Sequence, residues 1–587
     1  MRFFGERSRR VEARAAMIAL REEAAAVAGA PAGPGRHGAL GGLLVRAGCL
    51  AQGIADAERG ATPFDDAGPA SDLALAAVAE IAAALWTSWR AGGRAPAPRL
   101  AGLERLAGAT FPDCVELRRP EGFVLYGAYP ESWAAAGSAL AGQEPVVLGI
   151  RSIGTALAAM VAAGAGGPAP AGTVRPTGHP FRREVTFGPR LAAVVAAAGR
   201  ERPVAVADEG PGLSGSSFAA VLAALEALGV PPKRVQLFPS HAGEPGPRAT
   251  PDVRTRYARA RRHVVPFEAL FFGDHPLALG RLAEDVIGPA EEPPEDVSAG
   301  AWRRHVAGAP GGWPPSQGWR ERRKLLIRAG GRRWLARFAG LGDAGAAALA
   351  RARALAAAEL APAPVALRHG FLFSPWLADA RPAGHARPAR PLLLRTLRRY
   401  LSFVAAAFPA GPDDGASPAE LLDMARQNAG DALGGEARAG LAGAERMVRE
   451  VEARARPVAV DGKVDAWEWL VLPDGRVLKA DALDHHCDHG LPGCQDALWD
   501  VAGCELAFDL APDETRALTD AVRAAAPGAP PRVLPFYRVC RAAFEVGRWT
   551  LASEDPGIDE RELARRRAAA SRAVRGLERA LAATHPG

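Results

Sequence analysis

The spacing of apolar residues changes twice along the chain. In the first part, apolar side chains recur every three or four residues over 10–27, 40–57 and 71–89, with Pro- and Gly-containing loops between these ranges. This spacing is typical of helices that bury one face. It predicts a helical N-terminal region over residues 1–108.

Beyond residue 108, short apolar runs alternate with helical segments. Runs typical of strands cover 115–117, 123–126, 145–150, 173–175, 203–207 and 233–238, and helical spacing covers 131–140, 154–164 and 188–198. This alternation predicts a parallel sheet with helices on both faces over residues 109–285. A ligand site is expected where the strands end.

A Pro-, Gly- and Glu-rich segment over residues 286–318 predicts a linker to a second folded part, residues 319–587. This part contains two hairpin patterns, 324–338 and 471–481, turned at Gly-Gly and Asp-Gly. Helices are predicted between and after the hairpins. The expected fold class is therefore multidomain, combining α/β and α+β parts.

Composition narrows the ligand class only slightly. The 587 residues carry a formal net charge of +7, which is modest evidence for an anionic ligand. Nucleic acid is not expected, because no dense Lys/Arg block with interleaved aromatic residues occurs. Six cysteines without regular spacing indicate a reducing compartment. Without an apolar signal core or an uninterrupted apolar run of transmembrane length, we expect a cytoplasmic protein with no membrane partner.

Two acids and a Gly/Ser-rich loop follow the strand predicted at 203–207. Asp208 and Glu209 come directly after the apolar run, and residues 210–217 lead into a helical pattern. Backbone N–H groups in such a loop and the dipole of the following helix attract anions. We therefore predict a ribose-phosphate site, with a simple turn-and-helix cap as the structural alternative.

Two further loops follow predicted strands. Residues 149–155 form a strand-to-helix turn with one cation and small residues, which suits a second phosphate group. Residues 173–184 form a basic segment containing Gly and Pro, which suits a mobile flap over an anionic ligand.

The order of these three segments resembles the type I phosphoribosyltransferase family over residues 110–245. The resemblance implies that Asp208 and Glu209 engage the ribose of phosphoribosyl pyrophosphate, with Mg²⁺ on the pyrophosphate. It also implies a phosphate loop of Ser214, Gly215, Ser216 and Ser217, a pyrophosphate loop of Arg151, Ser152, Gly154 and Thr155, and a flexible loop with Arg175, His179, Arg182 and Arg183. The extra Pro211-Gly212 and the lack of a recognisable base-binding hood depart from the family, so the acceptor stays open.

Residues 319–585 resemble the aminoglycoside phosphotransferases and choline kinases, a bilobal fold. The resemblance implies ATP as a ligand, Arg337 in place of the nucleotide-binding Lys, and Asp481 in place of the Asp that binds Mg²⁺. The family's catalytic loop falls on 461–468, where Lys463 replaces the base and Glu468 the second metal ligand. Because a cation cannot accept a proton, either Asp465 substitutes or this degenerate domain binds without phosphorylating.

Residues 485–489 read His-His-Cys-Asp-His, with Cys494 and Cys504 beyond them. Their spacing fits no common zinc motif. A polar loop at the edge of the kinase-like metal site is therefore favoured over a zinc site.

The leading functional hypothesis is a protein that binds phosphoribosyl pyrophosphate with Mg²⁺ and transfers or processes its phosphoribosyl group. One alternative is a non-catalytic nucleotide or phosphoribosyl sensor. The other is an ATP-dependent small-molecule kinase acting through the C-terminal part. All three imply a small, anionic, nucleotide-type ligand.

Overall fold

The structure is a computed structural model that describes Phe4 and residues 8–66, 68–306, 308–441, 444–488, 490–555 and 557–584. It contains helices, one five-stranded parallel sheet, one five-stranded antiparallel sheet and smaller antiparallel sheets of two or three strands. The mixed α/β class and the helical N-terminal region are confirmed.

The N-terminal region consists of β1 (Ser8–Glu12), α1 (Ala13–Gly29), α2 (Pro34–Arg59), α3 (Pro69–Arg90) and α4 (Ala101–Ala107). Glycines on α2 allow close packing against the rest of the chain. A Cβ added at Gly48 would lie 3.0 Å from the Cβ of Ala156, and one at Gly42 would lie 3.0 Å from the Cα of Gly342. The helix therefore touches two later parts of the chain almost backbone to backbone.

By length and composition alone, α2 and α3 could each cross a membrane, although neither apolar run is uninterrupted, since α2 contains Arg46 and α3 contains Glu80. Here 72 % and 44 % of their most apolar windows are buried inside the structure. His37 and Gln52 are also buried on α2. Core packing accounts for the apolar character of both helices.

The α/β part follows in chain order as β2 (Cys114–Arg118), α5 (Pro130–Gly137), β3 (Val146–Ile150), α6 (Gly154–Ala165), β4 (Gly172–Val174), β5 (Thr177–His179), β6 (Arg182–Glu184), α7 (Pro189–Gly199), β7 (Val204–Ala207), α8 (Ser216–Ala227), β8 (Val235–Phe238), α9 (Pro251–Arg259) and β9 (Arg261–Arg262). The parallel sheet has the strand order β4-β3-β7-β8-β9. β5 and β6 form a separate hairpin.

Two predicted strands of this part differ from the expectation. Residues 122–126 form one helical turn of the π type, and Gly127 ends it with a φ of +66°. An apolar run this short does not distinguish strand from helix by its spacing. The strand predicted at 115–117 exists within β2, but it pairs antiparallel with β1 outside the parallel sheet.

The next part comprises α10 (Phe267–Phe271), α11 (Glu284–Ile287), β10 (Glu295–Asp296), α12 (Arg303–Val306), β11 (Lys324–Ala329), β12 (Arg332–Phe338), α13 (Asp343–Ala357), β13 (Ala366–Arg368) and β14 (Phe371–Pro375). Its antiparallel sheet has the order β10-β11-β12-β14-β13. β10 lies within the segment expected as a linker, so part of that segment joins the sheet. The division of the chain into four parts stays a prediction.

The C-terminal part comprises β15 (Arg381–Pro382), α14 (Ala383–Ala386), α15 (Arg390–Ala407), α16 (Pro418–Leu433), α17 (Gly435–Ala439), α18 (Glu445–Arg454), β16 (Trp469–Val471), β17 (Val477–Lys479), α19 (Leu498–Phe508), α20 (Pro512–Ala525), α21 (Leu534–Ala552) and α22 (Glu560–Thr584). α16 ends at Gly434, whose φ of +92° is incompatible with helix.

One hydrophobic core joins the first three parts. Its buried side chains come from α2, α3 and α6, from one face of the parallel sheet, and from β11, β12 and β14. A second core lies among the C-terminal helices and includes Trp469 and Trp499. This arrangement leaves two recesses, one at the end of the parallel sheet and one between the antiparallel sheet and the C-terminal helices.

Candidate functional site

The first recess lies at the carboxyl ends of β3 and β7. Strand order in the parallel sheet reverses between these two neighbours, and ligands of such sheets bind in the crevice at that point. The 151–153 turn and the 208–215 loop follow these strands. A Cβ on Gly154 would lie 2.6 Å from the carbonyl oxygen of Ala207, so the first loop packs directly on β7.

Asp208 and Glu209 lie at the end of β7, as the sequence predicted. Burial raises the pKa of Asp208 to about 7, against a backbone hydrogen bond and the charge of Arg175, which lower it. Glu209 lies against the helical turn of residues 122–126, because a Cβ on Gly122 would overlap its carboxylate. Two acids with different environments therefore face the same recess.

The serine loop, residues 214–217, forms the N-terminus of α8. Gly215 precedes the helix with a φ of +62°, and a side chain there would also meet Pro245 at 2.8 Å. Ser216 Oγ donates to the carbonyl of Pro180 at 2.7 Å, and Ser214 Oγ donates to the same carbonyl at 3.3 Å. The β5–β6 hairpin is thus docked on the serine loop.

That hairpin carries three of the four residues assigned to the flexible loop. His179 and Arg182 are exposed, and Arg183 Nη1 donates to the carbonyl of Pro176 at 3.2 Å. Arg175 lies outside the hairpin. The structure therefore brings His179, Arg182 and Arg183 near the serine loop but separates Arg175 from them.

Arg151 and Arg175 are held by the N-terminal region. Arg151 is buried, contacts Asp65, and its Nε lies 3.0 Å from Asp56 Oδ1. Arg175 Nε donates to Asp56 at 3.0 Å, its Nη2 donates to Gln52 Oε1 at 2.6 Å, and its backbone N–H donates to Asp65 at 2.8 Å. Both guanidinium groups therefore already have carboxylate partners. Arg151, which was expected to contact a pyrophosphate, is instead paired with Asp56 and Asp65.

The other residues of the predicted pyrophosphate loop have less polar surroundings. Thr155 is buried on α6, and its Oγ1 has no hydrogen-bond partner. Its backbone N–H donates to the carbonyl of Ser152 at 3.2 Å. Ser152 and Gly154 therefore shape the turn through their backbone.

A cavity of about 700 Å³ adjoins Glu209. Its walls combine aromatic side chains, including Tyr126, Trp133 and Phe267, with His241 and Arg323. Arg323 lies just before β11, so the antiparallel sheet closes one side. A cavity of this size with aromatic walls and few polar groups suits a small organic ligand.

The second recess is the inter-lobe cleft, which lies between β12 and β14 on one side and residues 463–488 with α21 on the other. Arg337 on β12 lies 2.9 Å from Asp481 and 2.6 Å from Asp484. Lys324 Nζ lies 3.6 Å from Asp481. Ligand atoms of Asp481, Asp484 and His485 all lie within 4.8 Å of one another.

Opposing effects set the ionisation of this cluster. Burial raises the pKa values of Asp481 and Asp484, but neighbouring cations outweigh it: Arg337 and His485 lower the first, and Arg322 and Arg337 lower the second. Both carboxylates are therefore charged near neutral pH. Sequence reasoning missed Asp484, although it lies only three residues beyond Asp481.

The loop predicted to carry catalysis, residues 461–468, is held by hydrogen bonds and ion pairs. Asp500 accepts the backbone N–H groups of Asp461 at 2.7 Å and Gly462 at 3.0 Å. Lys463 Nζ lies 3.4 Å from Asp488, and Lys479 Nζ lies 3.7 Å from Glu468. Lys463 and Glu468, which occupy the two catalytic positions of the loop, are thus each paired with a side chain of opposite charge.

Asp465 differs from its neighbours. Its carboxylate lies 3.4 Å from Arg548 Nη1, yet burial raises its pKa to about 6, with Glu545 and Glu468 contributing and Arg548 opposing. A carboxylate that titrates near neutral pH can take up a proton there.

Two described residues of the His/Cys segment, His485 and Asp488, line the cleft. His485 Nδ1 lies 2.8 Å from Asp461, and Cys487 Sγ donates to the carbonyl of Asp484 at 3.1 Å. His489 lies outside the described residues. Within the described ranges, neither group of potential metal ligands includes a cysteine.

No family model matches the sequence. No curated protein matches it either. Among solved structures, the chain is similar to the choline kinase LicA from Streptococcus pneumoniae, with a TM-score of 0.30 and 14 % identity, over 44 % of this chain and 89 % of that one. It is similar to spectinomycin phosphotransferase APH(9)-Ia, crystallised with ADP and spectinomycin, with a TM-score of 0.31 and 11 % identity over 51 % and 93 %.

A choline kinase from Cryptosporidium parvum is also similar, with a TM-score of 0.27 and 10 % identity, over 48 % of this chain and 94 % of that one. The similar structures are therefore small-molecule kinases and phosphotransferases, each matching about half of this chain. At such TM-scores the likeness carries no argument about activity or substrate. It lends no support to the phosphoribosyltransferase interpretation, which stays a prediction.

Proposed function

We propose that the inter-lobe cleft binds an ATP-type nucleotide and that the chain is an ATP-dependent small-molecule kinase. The observation that carries this proposal is the arrangement of the cleft walls. Leu335, Leu372 and Leu470 contribute apolar surface suited to a purine ring. The paired Arg337 and Asp481 form the polar end of the cleft, beside Leu372, the cross-strand neighbour of Arg337.

The polar end suits a nucleotide carried with Mg²⁺. Asp481 and Asp484 offer the carboxylate oxygens that Mg²⁺ prefers, and the closest partner that the structure gives Asp481 Oδ1 within the described residues is the Arg337 guanidinium at 2.9 Å. These two side chains would hold the ion, which would screen the charge of the transferred phosphoryl group. Arg337 would then exchange a carboxylate partner for a phosphate.

Asp465 supplies the proton acceptor in this proposal. Lys463 carries a positive charge and cannot perform that role, whereas Asp465 has a pKa of about 6. Arg548, at 3.4 Å, keeps the carboxylate oriented.

Calorimetry with a non-hydrolysable ATP analogue, with and without Mg²⁺, tests the binding step. We expect Mg²⁺-dependent binding that is lost in Asp481→Asn and kept in Asp274→Asn, a fully exposed control. Phosphoryl transfer is then followed as ADP formation over a panel of small amines, alcohols and aminoglycosides. Binding without ADP formation would favour the sensor alternative, and absence of binding would refute the proposal.

The sheet-end recess supports a second candidate, a site for phosphoribosyl pyrophosphate with Mg²⁺. The observation in its favour is that Asp208, Glu209 and the serine loop meet at the strand reversal, beside the 700 Å³ cavity. Calorimetry should detect binding to the wild type and its loss when Asp208→Asn and Glu209→Gln are combined. The candidate fails if the wild type binds none.

A further inference from the structure

Three residues that are distant in the sequence meet in the shared core, and none of them lines either recess. His37 lies on α2, Glu131 in the first turn of α5, and His369 in the turn between β13 and β14. All three side chains are 0 % exposed. The cluster therefore lies where the N-terminal helices, the α/β part and the antiparallel sheet join.

The spacing of the three side chains is that of ligands around one ion. His37 Nε2 and His369 Nε2 each lie 3.0 Å from Glu131 Oε1, and the three ligand atoms lie within 4.8 Å of one another. Two atoms bound tetrahedrally to one zinc ion at about 2.0 Å would be roughly 3.3 Å apart.

These contacts are at hydrogen-bond distance, but neither Nε2 atom is aligned to donate to Glu131, and neither carboxylate oxygen has another hydrogen bond. A buried carboxylate without compensation is strongly unfavourable. No Lys or Arg forms an ion pair with Glu131 in the part of the chain that the structure describes. The cluster thus contains four unsatisfied donor atoms and a buried charge.

The surroundings hold the two imidazoles in place. His37 Nδ1 lies 3.1 Å from Ser88 Oγ, the kind of partner that orients a ligating histidine. A Cβ on Gly41 would lie 3.0 Å from His369 Cε1, so α2 closes over that ring.

We propose that His37, Glu131 and His369 bind one divalent transition-metal ion of the zinc or iron class. Two imidazole nitrogens and a bidentate carboxylate give four donor atoms, a set that suits these metals and not Mg²⁺ or Ca²⁺. The full burial of the ligands makes the site structural. The ion cross-links α2, α5 and the β13–β14 turn, and this role is independent of both recesses.

Elemental analysis of the full-length chain, purified without a histidine tag, tests the proposal. We expect about one zinc or iron ion per chain, because a buried site of this donor set retains its metal. The content should fall to background in Glu131→Gln. It should persist in His485→Gln, which removes the histidine of the other potential metal cluster.

A cobalt titration covers the case in which Glu131→Gln does not fold. Chelator-treated wild type and His485→Gln should both take up one Co²⁺ and develop visible d–d absorption. The proposal is overturned if the wild type contains no transition metal and gains no cobalt spectrum, which would leave a proton shared among the three side chains. It is equally overturned if a folded Glu131→Gln keeps its metal or if the absorption disappears in His485→Gln.

Discussion

Replacing Lys479 by Met should loosen the hairpin that frames the inter-lobe cleft. The ammonium group of Lys479 is 0 % exposed, lies 3.1 Å from Asp461, and donates to the carbonyl of Asp481 at 2.7 Å. At that separation and an effective dielectric constant of about 20, the attraction is roughly 5 kcal/mol. Breaking a buried pair by removing one partner costs about 3–5 kcal/mol, because it leaves a buried charge without its partner.

Hydrogen–deuterium exchange of β16 and β17 measures this loss locally, which matters in a chain too large for two-state unfolding. A loss of about 3 kcal/mol corresponds to at least about a hundredfold lower protection. Lys233→Met, at an exposed position, is the matched control. Adding Asp461→Asn to Lys479→Met should restore part of the protection, since the buried carboxylate charge, left with only His485 and Tyr400 as side-chain partners, is then gone. Unchanged protection in the single variant would refute the reasoning.

Three other outcomes are expected. Asp465→Asn should keep nucleotide binding but lower ADP formation at least about a hundredfold, the usual contribution of a general base; equal loss in Asp513→Asn, an exposed control, would contradict this role. Gly154→Ala should lower the thermal midpoint, because the new Cβ would lie 2.6 Å from a β7 carbonyl, whereas Gly167→Ala, with open space at its Cα, should not. Burial raises the folded-state pKa of Asp208 to about 7, whereas an Asp in the unfolded chain has a pKa of about 4. The protonated side chain therefore contributes its full stabilisation below about pH 4, and this contribution is lost as the pH rises through 7. Asp208→Asn should therefore flatten the pH dependence of the thermal midpoint between about pH 4 and 7, and an unchanged slope would argue against the shift.

Strands with strong local signals were predictable. The runs at 145–150, 203–207 and 233–238 contain β3, β7 and β8, because short, mostly apolar segments with β-branched residues suit a sheet covered on both faces. The run at 123–126 lacks such a distinguishing signal. In the structure it is helical, and this helical turn places Gly122 against the carboxylate of Glu209.

Side-chain pairing was less predictable than the elements. Arg175 was expected over an anionic ligand, but its guanidinium is bonded to Asp56, which is 119 residues away in the sequence. The partner of Arg151, Asp65, is 86 residues away. Such pairs depend on how α2 packs against the parallel sheet, and no spacing within either segment encodes that packing. The proximity of Arg337 and Asp481, 2.9 Å apart, was predictable because the kinase-like resemblance placed both residues in one site.

Arg151 and Arg175 bind Asp56 and Asp65, and these contacts hold the N-terminal region against the parallel sheet. They limit how the chain can be divided. A fragment lacking residues 1–108 would lose the carboxylates of Asp56 and Asp65, leaving the buried guanidinium of Arg151 without its counter-charges. It would also expose the face of α6 that packs on α3. An isolated buried cation costs several kcal/mol, so such a fragment should fold poorly or aggregate. Ligand screens therefore need the N-terminal helices, even for a ligand that contacts none of them.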